Sequence, residues 1–265
     1  MHRSGPNVRV HNICPKAAKL HVRVAESKAD VLAAQRLRYQ VFTEEFGANL
    51  HGARDGIDQD RFDPHCDHLL VEDLISGQIL ATTRLLSQSQ MLKAGSFYSE
   101  GEFDLSNIHR LPGNKLEIGR TCVHANFRNG ATLALLWSGI AKYVIDHDFE
   151  HLIGCGSISL TNGTQEAWSI TNQLKNRFLL EEDKQVFPKL ALPLPDSEAS
   201  KPVAIPPLIK AYMRLGAKIG GDPCWDPDFR CADLFIMLPI SALEARYAKH
   251  FLKNQDNKSE TTTAA

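Results

Sequence analysis

No apolar run in this 265-residue chain approaches the roughly 18 residues that a membrane-spanning helix needs. The N-terminus has no apolar core of the secretory-signal kind. Net charge is nearly absent: 30 basic against 31 acidic side chains leave −1, which argues against nucleic-acid binding as a global property. The six cysteines, Cys14, Cys66, Cys122, Cys155, Cys224 and Cys231, include no C-x-x-C pair. Without a signal they read as reduced thiols of a cytoplasmic protein. His65 and His68 flank Cys66 and Asp67, but no second ligand cluster completes a tetrahedral site, so no metal is expected. Internal repeats and coiled-coil heptads are missing too. What remains is an ordinary globular composition, 43% hydrophobic and 23% charged, long enough for a single domain of roughly 200 residues or more.

The pattern along the chain divides it into a basic arm over 1–19, a domain over 20–252 and a polar tail over 253–265 expected to be disordered. Residues 1–25 carry Arg3, Arg9, Lys16, Lys19 and Arg23 and no acid. Attraction to an anionic bilayer is one reading, at about 1 kcal/mol per basic side chain; a solvated leader is the other. Leu20 to Val24 alternates as a strand does. Ser27 is placed to cap a helix running to about Phe46, with Val31, Ala34, Leu37, Val41 and Phe42 near the helical period. Residues 67–73 and 78–86 read as strands joined by a turn at Ser76-Gly77. Residues 87–115, with Gly95, Gly101, Pro112 and Gly113, read as a long loop excursion. Helices are expected over about 133–144 and 164–178, strands over 152–160 and 232–240, a helical tendency over 205–215, and a last helix from Ser241 to about Leu252. Residues 181–207 hold six of the thirteen prolines and read as an extended lid or linker without packed structure.

The most informative stretch is Leu116-Glu-Ile-Gly-Arg-Thr-Cys-Val-His124, followed by Asn126-Phe-Arg-Asn-Gly-Ala-Thr132. It reads as a strand, a turn and a helix start. Such a turn points backbone N–H groups at whatever lies there, and can hold a pyrophosphate or a pantetheine arm. Glu117 and Arg120 are charges inside a strand, which packing alone does not explain. Glu117, flanked by Leu116 and Ile118, is a candidate general base whose carboxyl burial would raise. Its alternative is an ion pair with Arg84 or Arg120. Three residues apart, Glu117 and Arg120 face opposite sides of a regular strand, so a bulge is expected between them, near Gly119. Cys122 could form an acyl-enzyme, but plain packing is the simpler role.

This segment resembles the centre of the Gcn5-related N-acyltransferase fold. Further blocks extend the resemblance from about Leu20 to Leu252: Arg38 to Glu45, Gly56 to Asp63, Cys66 to Val71, Thr83 to Leu86, Phe97 to Ser99 with Glu102 to Leu105, and Pro207 to Ala217. In this order they are similar to the bacterial ornithine N-acyltransferases of ornithine-lipid biosynthesis. The early blocks also resemble the acyl-homoserine-lactone synthases.

The resemblance implies an α/β fold: a mixed, mostly antiparallel central sheet flanked by helices on both faces, splayed beside the central strand. It implies transfer of a 3-hydroxyacyl group from acyl carrier protein to the α-amine of ornithine, giving lyso-ornithine lipid. Glu117 and Arg120 match its E-x-x-R pattern as the catalytic pair. Arg38, Phe42 and Arg84 match substrate-binding positions; the two arginines would grip the substrate carboxylate, or else form buried pairs with Asp58 or Asp60. Residues 44–73 hold nine acids against two bases, a wall suited to a cationic substrate. Asp58, Asp60 and Asp63 are assigned to the amine donor by the resemblance. Asp226 and Asp233 match family acids of open role.

Val123, Arg128, Gly130 and Ala131 are expected to hold the phosphopantetheine arm of 3-hydroxyacyl carrier protein. Only Gly130 and Ala131 survive near the usual small-residue signature, which favours the carrier protein over acyl-coenzyme A. Arg110, Lys115, Arg128, Lys142, Lys175 and Arg177 are candidate docking cations for that acidic partner. No cofactor, metal or nucleic acid is expected, and a cytoplasmic enzyme peripheral to the inner membrane is the expected setting. Acylation of glycine or lysine, an acyl-homoserine-lactone-type synthase and a non-catalytic acyl-carrier or lipid-binding protein stand as alternatives.

Overall fold

The computed structural model describes residues 19–50, 55–195 and 203–242. The basic arm, apart from Lys19, lies outside these residues, as do the final helix beyond Ala242 and the tail. Among the described residues no helix is long and apolar enough to cross a membrane.

Eight strands form one sheet. They are β1 (Leu20–Val24), β2 (Asp67–Asp73), β3 (Ile79–Ser87), β5 (Lys115–Val123), β6 (His151–Ser159), β8 (Lys218–Ile219), β9 (Cys224–Asp226) and β10 (Cys231–Pro239). The order is β1-β2-β3-β5-β6-β10-β8, with β9 beside β10. Every pairing is antiparallel except β5 with β6. That parallel pair is joined by the crossover helix α4 (Gly130–Asp146), the kind of connection a parallel pair requires.

Side-chain alternation divides the core cleanly. Leu69, Val71, Leu234, Ile236 and Leu238 face one side, packed with Leu136 and Ile140 of α4, Ile170 and Leu174 of α5 (Thr164–Phe178), and Ile209 and Met213 of α6 (Pro207–Leu215). The intervening Leu70, Phe235 and Met237 face the other. There α1 (Lys28–Tyr39) lays Ala34 and Leu37 over Leu70. Ser27 caps α1, and Asp30 closes a reciprocal capping box, as helix-start chemistry predicts. The winding then widens into a π-helical turn over Gln40–Glu45. Arg23 is not a free surface cation: it pairs with Asp30 at 2.8 Å and Glu72 at 3.0 Å.

Two stretches depart from expectation. The 87–115 run is not a loop. It contains α2 (Gln88–Ala94), a 3-10 turn over Tyr98–Gly101, β4 (Phe103–Asp104) and α3 (Ser106–Arg110). Its Met91, Phe97, Phe103, Leu105 and Ile108 are buried against the second face of the sheet, each contributing about 1.5–3 kcal/mol. The glycines mark ends of short elements. Nor is the 181–207 run unpacked where it is described. Its β7 (Phe187–Pro188) pairs with β4, Val186 and Leu192 are buried, and Pro193 O accepts from Trp168 Nε1 at 2.9 Å.

Candidate active site

The active-site geometry begins with one extra residue in β5. Ala81 lies opposite Val123 and Thr82 opposite Cys122, but Arg84 lies opposite Gly119. The added residue puts Arg120 in the left-handed region at φ 51°, a strain non-glycine residues adopt where surroundings demand it. The bulge expected at Gly119 is thus present, with its left-handed residue at Arg120. Glu117 and Cys122, an odd number of residues apart, consequently both face the second side. Glu117 and Arg120 line one cavity of about 160 Å³.

The cavity opens where the sheet does. β5 and β6 pair only through Lys115–His151, Leu116–Leu152 and Glu117–Ile153. Beyond that, β6 continues with β10 while β5 stays with β3. At the point of divergence Gly154 comes so near that a Cβ there would lie 2.3 Å from the Ile118 carbonyl oxygen.

Glu117 is fully enclosed. Its carboxylate accepts from Tyr98 N at 2.6 Å, Ser99 N at 2.8 Å and Ser99 Oγ at 2.5 Å. Burial pushes its carboxyl above the usual range, against the pull of these hydrogen bonds and the Arg84 charge. The direction is the one its apolar neighbours suggest. Glu117 forms no ion pair with Arg84 or Arg120; its hydrogen-bond partners are the Tyr98–Ser99 turn. The Cys155 thiol donates to Ser99 Oγ at 3.4 Å.

Arg38 and Arg84 are already committed. Arg38 Nε donates to Asp58 at 2.7 Å, and its terminal nitrogens donate to Asp63 at 2.7 and 3.1 Å. Arg84 donates to Asp60 at 2.6 Å. Both arginines are buried. Burial works to raise the Asp63 carboxyl, but hydrogen bonds from Arg38 and the charges of Arg38 and Arg84 outweigh it and hold that group well below the usual range. The geometry therefore matches the buried-pair reading of these arginines. Asp58, Asp60 and Asp63 do not present an unmatched acidic wall, because guanidinium groups neutralise them.

Arg120 is different. Its guanidinium lies between the rings of Tyr98 (4.9 Å) and Phe229 (4.7 Å), and Phe42 braces Phe229 edge-on at 5.6 Å. Its polar contacts are long: 3.3 Å to Tyr98 Oη, 3.5 Å to Asp60 and 3.6 Å to Asp58. Arg120 Nε is buried without a hydrogen-bond partner. Arg120 also lines an outer space of about 290 Å³ with Asp58, Asp60 and Asp226, so it stands between solvent and the inner cavity.

The inner cavity gathers Tyr98, Ser99, Glu102 and Cys155, to which the sequence assigned no chemistry, with Asp226 and Asp233, whose role it left open. Glu102, Ser99 and Tyr98 come from the excursion taken for a loop, which hid them. Cys122 packs beneath α1, and burial pushes its thiol up to about 12, which suits packing and not nucleophilic attack.

Val123 ends β5, and its carbonyl accepts from Arg128 Nε at 3.1 Å. Arg128 also forms a bidentate pair with Glu45, so its charge is taken. Asn129 caps α4 by accepting from Thr132 N at 3.0 Å. Gly130 and Ala131 open α4, exposed. Gly130, Trp137 and Leu152 line an apolar groove of about 380 Å³ between α4 and α6. Trp137 and Leu152 also line a narrow space beside Ile118, Cys155 and Tyr212, and the last three line the Glu117 cavity. The shared residues string these spaces across the open seam. Lys115 is no docking cation: it is buried and donates to Leu111 O at 2.7 Å and Gly113 O at 2.9 Å.

The family model of an acetyltransferase (GNAT) domain matches residues 37–138. The chain is 35% identical over 256 residues to an L-ornithine N(alpha)-acyltransferase of Rhizobium meliloti (strain 1021), across 91% of this chain and 86% of that one. It is 37% identical to the protein of that name from Brucella abortus (strain 2308), across 90% and 91%. A solved CoA-dependent acyl-homoserine lactone synthase, BjaI, shares the fold with a TM-score of 0.53 at 15% identity, across 88% of this chain and 89% of its own.

Proposed function

The chain belongs to the L-ornithine N(alpha)-acyltransferase family, and on that premise we propose that it moves a 3-hydroxyacyl group from acyl carrier protein to the α-amine of ornithine, giving lyso-ornithine lipid. The observation carrying this reading is the bulge that turns Glu117 and Arg120 into one cavity at the seam between β5 and β6.

Attack requires a neutral amine, a polarised thioester carbonyl and a departing thiolate. Glu117 takes the proton from the ornithine α-ammonium. Its raised carboxyl brings its proton affinity closer to that of the amine, and the Ser99 hydroxyl bonded to it holds the acceptor oxygen in place. The amine nitrogen then bonds to the thioester carbon, the C–S bond breaks, and the departing thiolate takes up the proton that the nitrogen sheds as it becomes an amide. Arg120 receives the ornithine carboxylate through its unpartnered Nε and long-bonded terminal nitrogens. Arg38, Arg84, Asp58, Asp60 and Asp63 act behind it, as the fixed network against which Arg120 is set. The phosphopantetheine arm passes from the turn before α4, beside Val123, Gly130 and Ala131, along the apolar spaces into the seam. Membrane-surface contact would bring the lipid product to its destination.

The test is acylation by purified protein of radiolabelled ornithine, with 3-hydroxyacyl carrier protein and 3-hydroxyacyl-coenzyme A in parallel, read by lipid extraction. Label entering lipid with the carrier protein and not with coenzyme A supports both donor and reaction. Equal transfer from coenzyme A overturns the donor assignment; no label with either donor, from folded protein, overturns the reaction.

A further inference from the structure

Three carboxyl groups line the Glu117 cavity without an ion pair among the described residues. Glu102 follows the 3-10 turn, Asp226 ends β9 and Asp233 lies in β10. The pairing of β9 with β10 sets Asp226 opposite Cys231, and Asp226, Cys231 and Asp233 bring a side-chain donor atom each within 4.8 Å of one another. No ion pair joins Glu102, Asp226 or Asp233 to an arginine or lysine among the described residues. This contrasts with Asp58, Asp60 and Asp63, each facing a guanidinium within 2.7 Å.

Two oxygens are left over. Asp233 is only 4% exposed, and its Oδ1 has no hydrogen-bond partner; Glu102 Oε2 has none either. The other Asp233 oxygen accepts from the Cys231 thiol at 3.6 Å. Asp226 spends one oxygen on the backbone N–H groups of Asp228 and Phe229, at 2.9 and 3.0 Å. Buried acids without partners are costly. Burial, with the Asp233 charge, pushes the Glu102 carboxyl up; burial, with the Asp226 charge, pushes the Asp233 carboxyl up against the pull of hydrogen bonds from Ser157, Cys231 and Glu102. A primary ammonium, with three N–H donors and one positive charge, supplies what this end of the cavity lacks. Glu117 stands at the other end of a short chain of contacts, through Ser99 and Cys155 to Glu102.

We propose that Glu102, Asp226 and Asp233 form the subsite for the side-chain ammonium of a diamino-acid acceptor, so that discrimination against monoamino acids lies here and not in the Asp58–Asp63 stretch. The inference rests on the amine-acylation reading of this cavity. With the carboxylate on Arg120 and the second ammonium on the acidic trio, only the α-amine is left facing Glu117, which fixes which nitrogen is acylated.

The test compares ornithine with norvaline, which has the same carbon skeleton and no second amine, in the wild type, Asp233→Asn and Glu102→Gln. The wild type is expected to prefer ornithine in kcat/KM by about 100-fold or more. Each variant narrows that preference by about 10-fold or more while still acylating norvaline, which also certifies its fold. Because neither carboxylate is held in an ion pair among the described residues and each has a partnerless buried oxygen, the variants melt no earlier than the wild type without ligand, unlike residues that serve only structure. Equal use of norvaline and ornithine by the wild type overturns the subsite and leaves the acyltransfer standing. A preference unmoved in both variants overturns it too, as does an ornithine preference abolished by a chelator and restored by a divalent cation. Acylation of neither amine by folded wild type removes the underlying reading along with the subsite.

Discussion

Glu117 and Arg120, three residues apart on one strand, face the same cavity because Arg120 itself takes a left-handed conformation at φ 51°. One inserted residue brings a buried acid with a raised carboxyl beside a guanidinium that has spare donors.

The spare donors predict how Arg120 fails. Arg120→Lys keeps the charge but loses the planar fork. The ornithine KM is expected to rise about 10- to 100-fold, with the melting temperature little changed, since the ion pairs of Arg120 are 3.5 Å or longer. Steady-state kinetics and thermal denaturation on the same preparation check this.

Glu117→Gln removes the proton acceptor while keeping the shape. A fall in kcat of about 10²- to 10⁴-fold is expected. In the wild type the rate rises with pH as Glu117 deprotonates, and burial places that rise above the ordinary carboxylate value of 4.5. The variant should lose this limb of the pH–rate profile. A profile shared by both proteins would remove Glu117 as base.

Arg38→Met tests the network behind the site. It leaves Asp58 and Asp63 buried without their shared guanidinium, at a cost of about 3–5 kcal/mol. Urea denaturation should show this as a general loss of stability. A variant as stable as the wild type, but with a raised ornithine KM, would return Arg38 to direct substrate binding.

The same network sets an acid limit. The Asp63 carboxyl is held below its ordinary 3.8, so its contribution is present above that value and disappears as pH falls through the lower folded value. Stability should therefore drop steeply below about pH 4. Asp63→Asn should be weaker at neutral pH and show a flatter acid slope when denaturation midpoints are compared.

Gly154→Ala places a methyl 2.3 Å from the Ile118 carbonyl oxygen, an overlap backbone must move to relieve. A loss of about 1–3 kcal/mol is expected, along with reduced acyltransfer, because the shift falls where β5 and β6 part. Melting temperature and initial rate measure the two effects.

The long periodic elements were legible in the chain. The strand over Asp67–Asp73 and the helix over Thr164–Phe178 stand where the apolar pattern puts them, and the odd spacing of Glu117 and Arg120 announced a bulge. The 87–115 run misled because its elements are short and separated by glycines, so turn signals outweighed the spacing of Met91, Phe97, Phe103 and Ile108. The acidic stretch at 58–63 misled for another reason. Its partners Arg38 and Arg84 lie on a helix and a strand distant in sequence, and only their approach in space cancels the charge. Glu102 and Asp233, which form no ion pair among the described residues, are more than a hundred residues apart and carried no joint signal.

The most direct test is a crystal structure with ornithine and a non-hydrolysable thioether of 3-hydroxyacyl pantetheine. The account predicts the α-amine beside Glu117, the carboxylate on Arg120 and the thioether in the seam between β5 and β6. Ornithine seated among Asp58, Asp60 and Asp63, with Arg120 turned away, would contradict it.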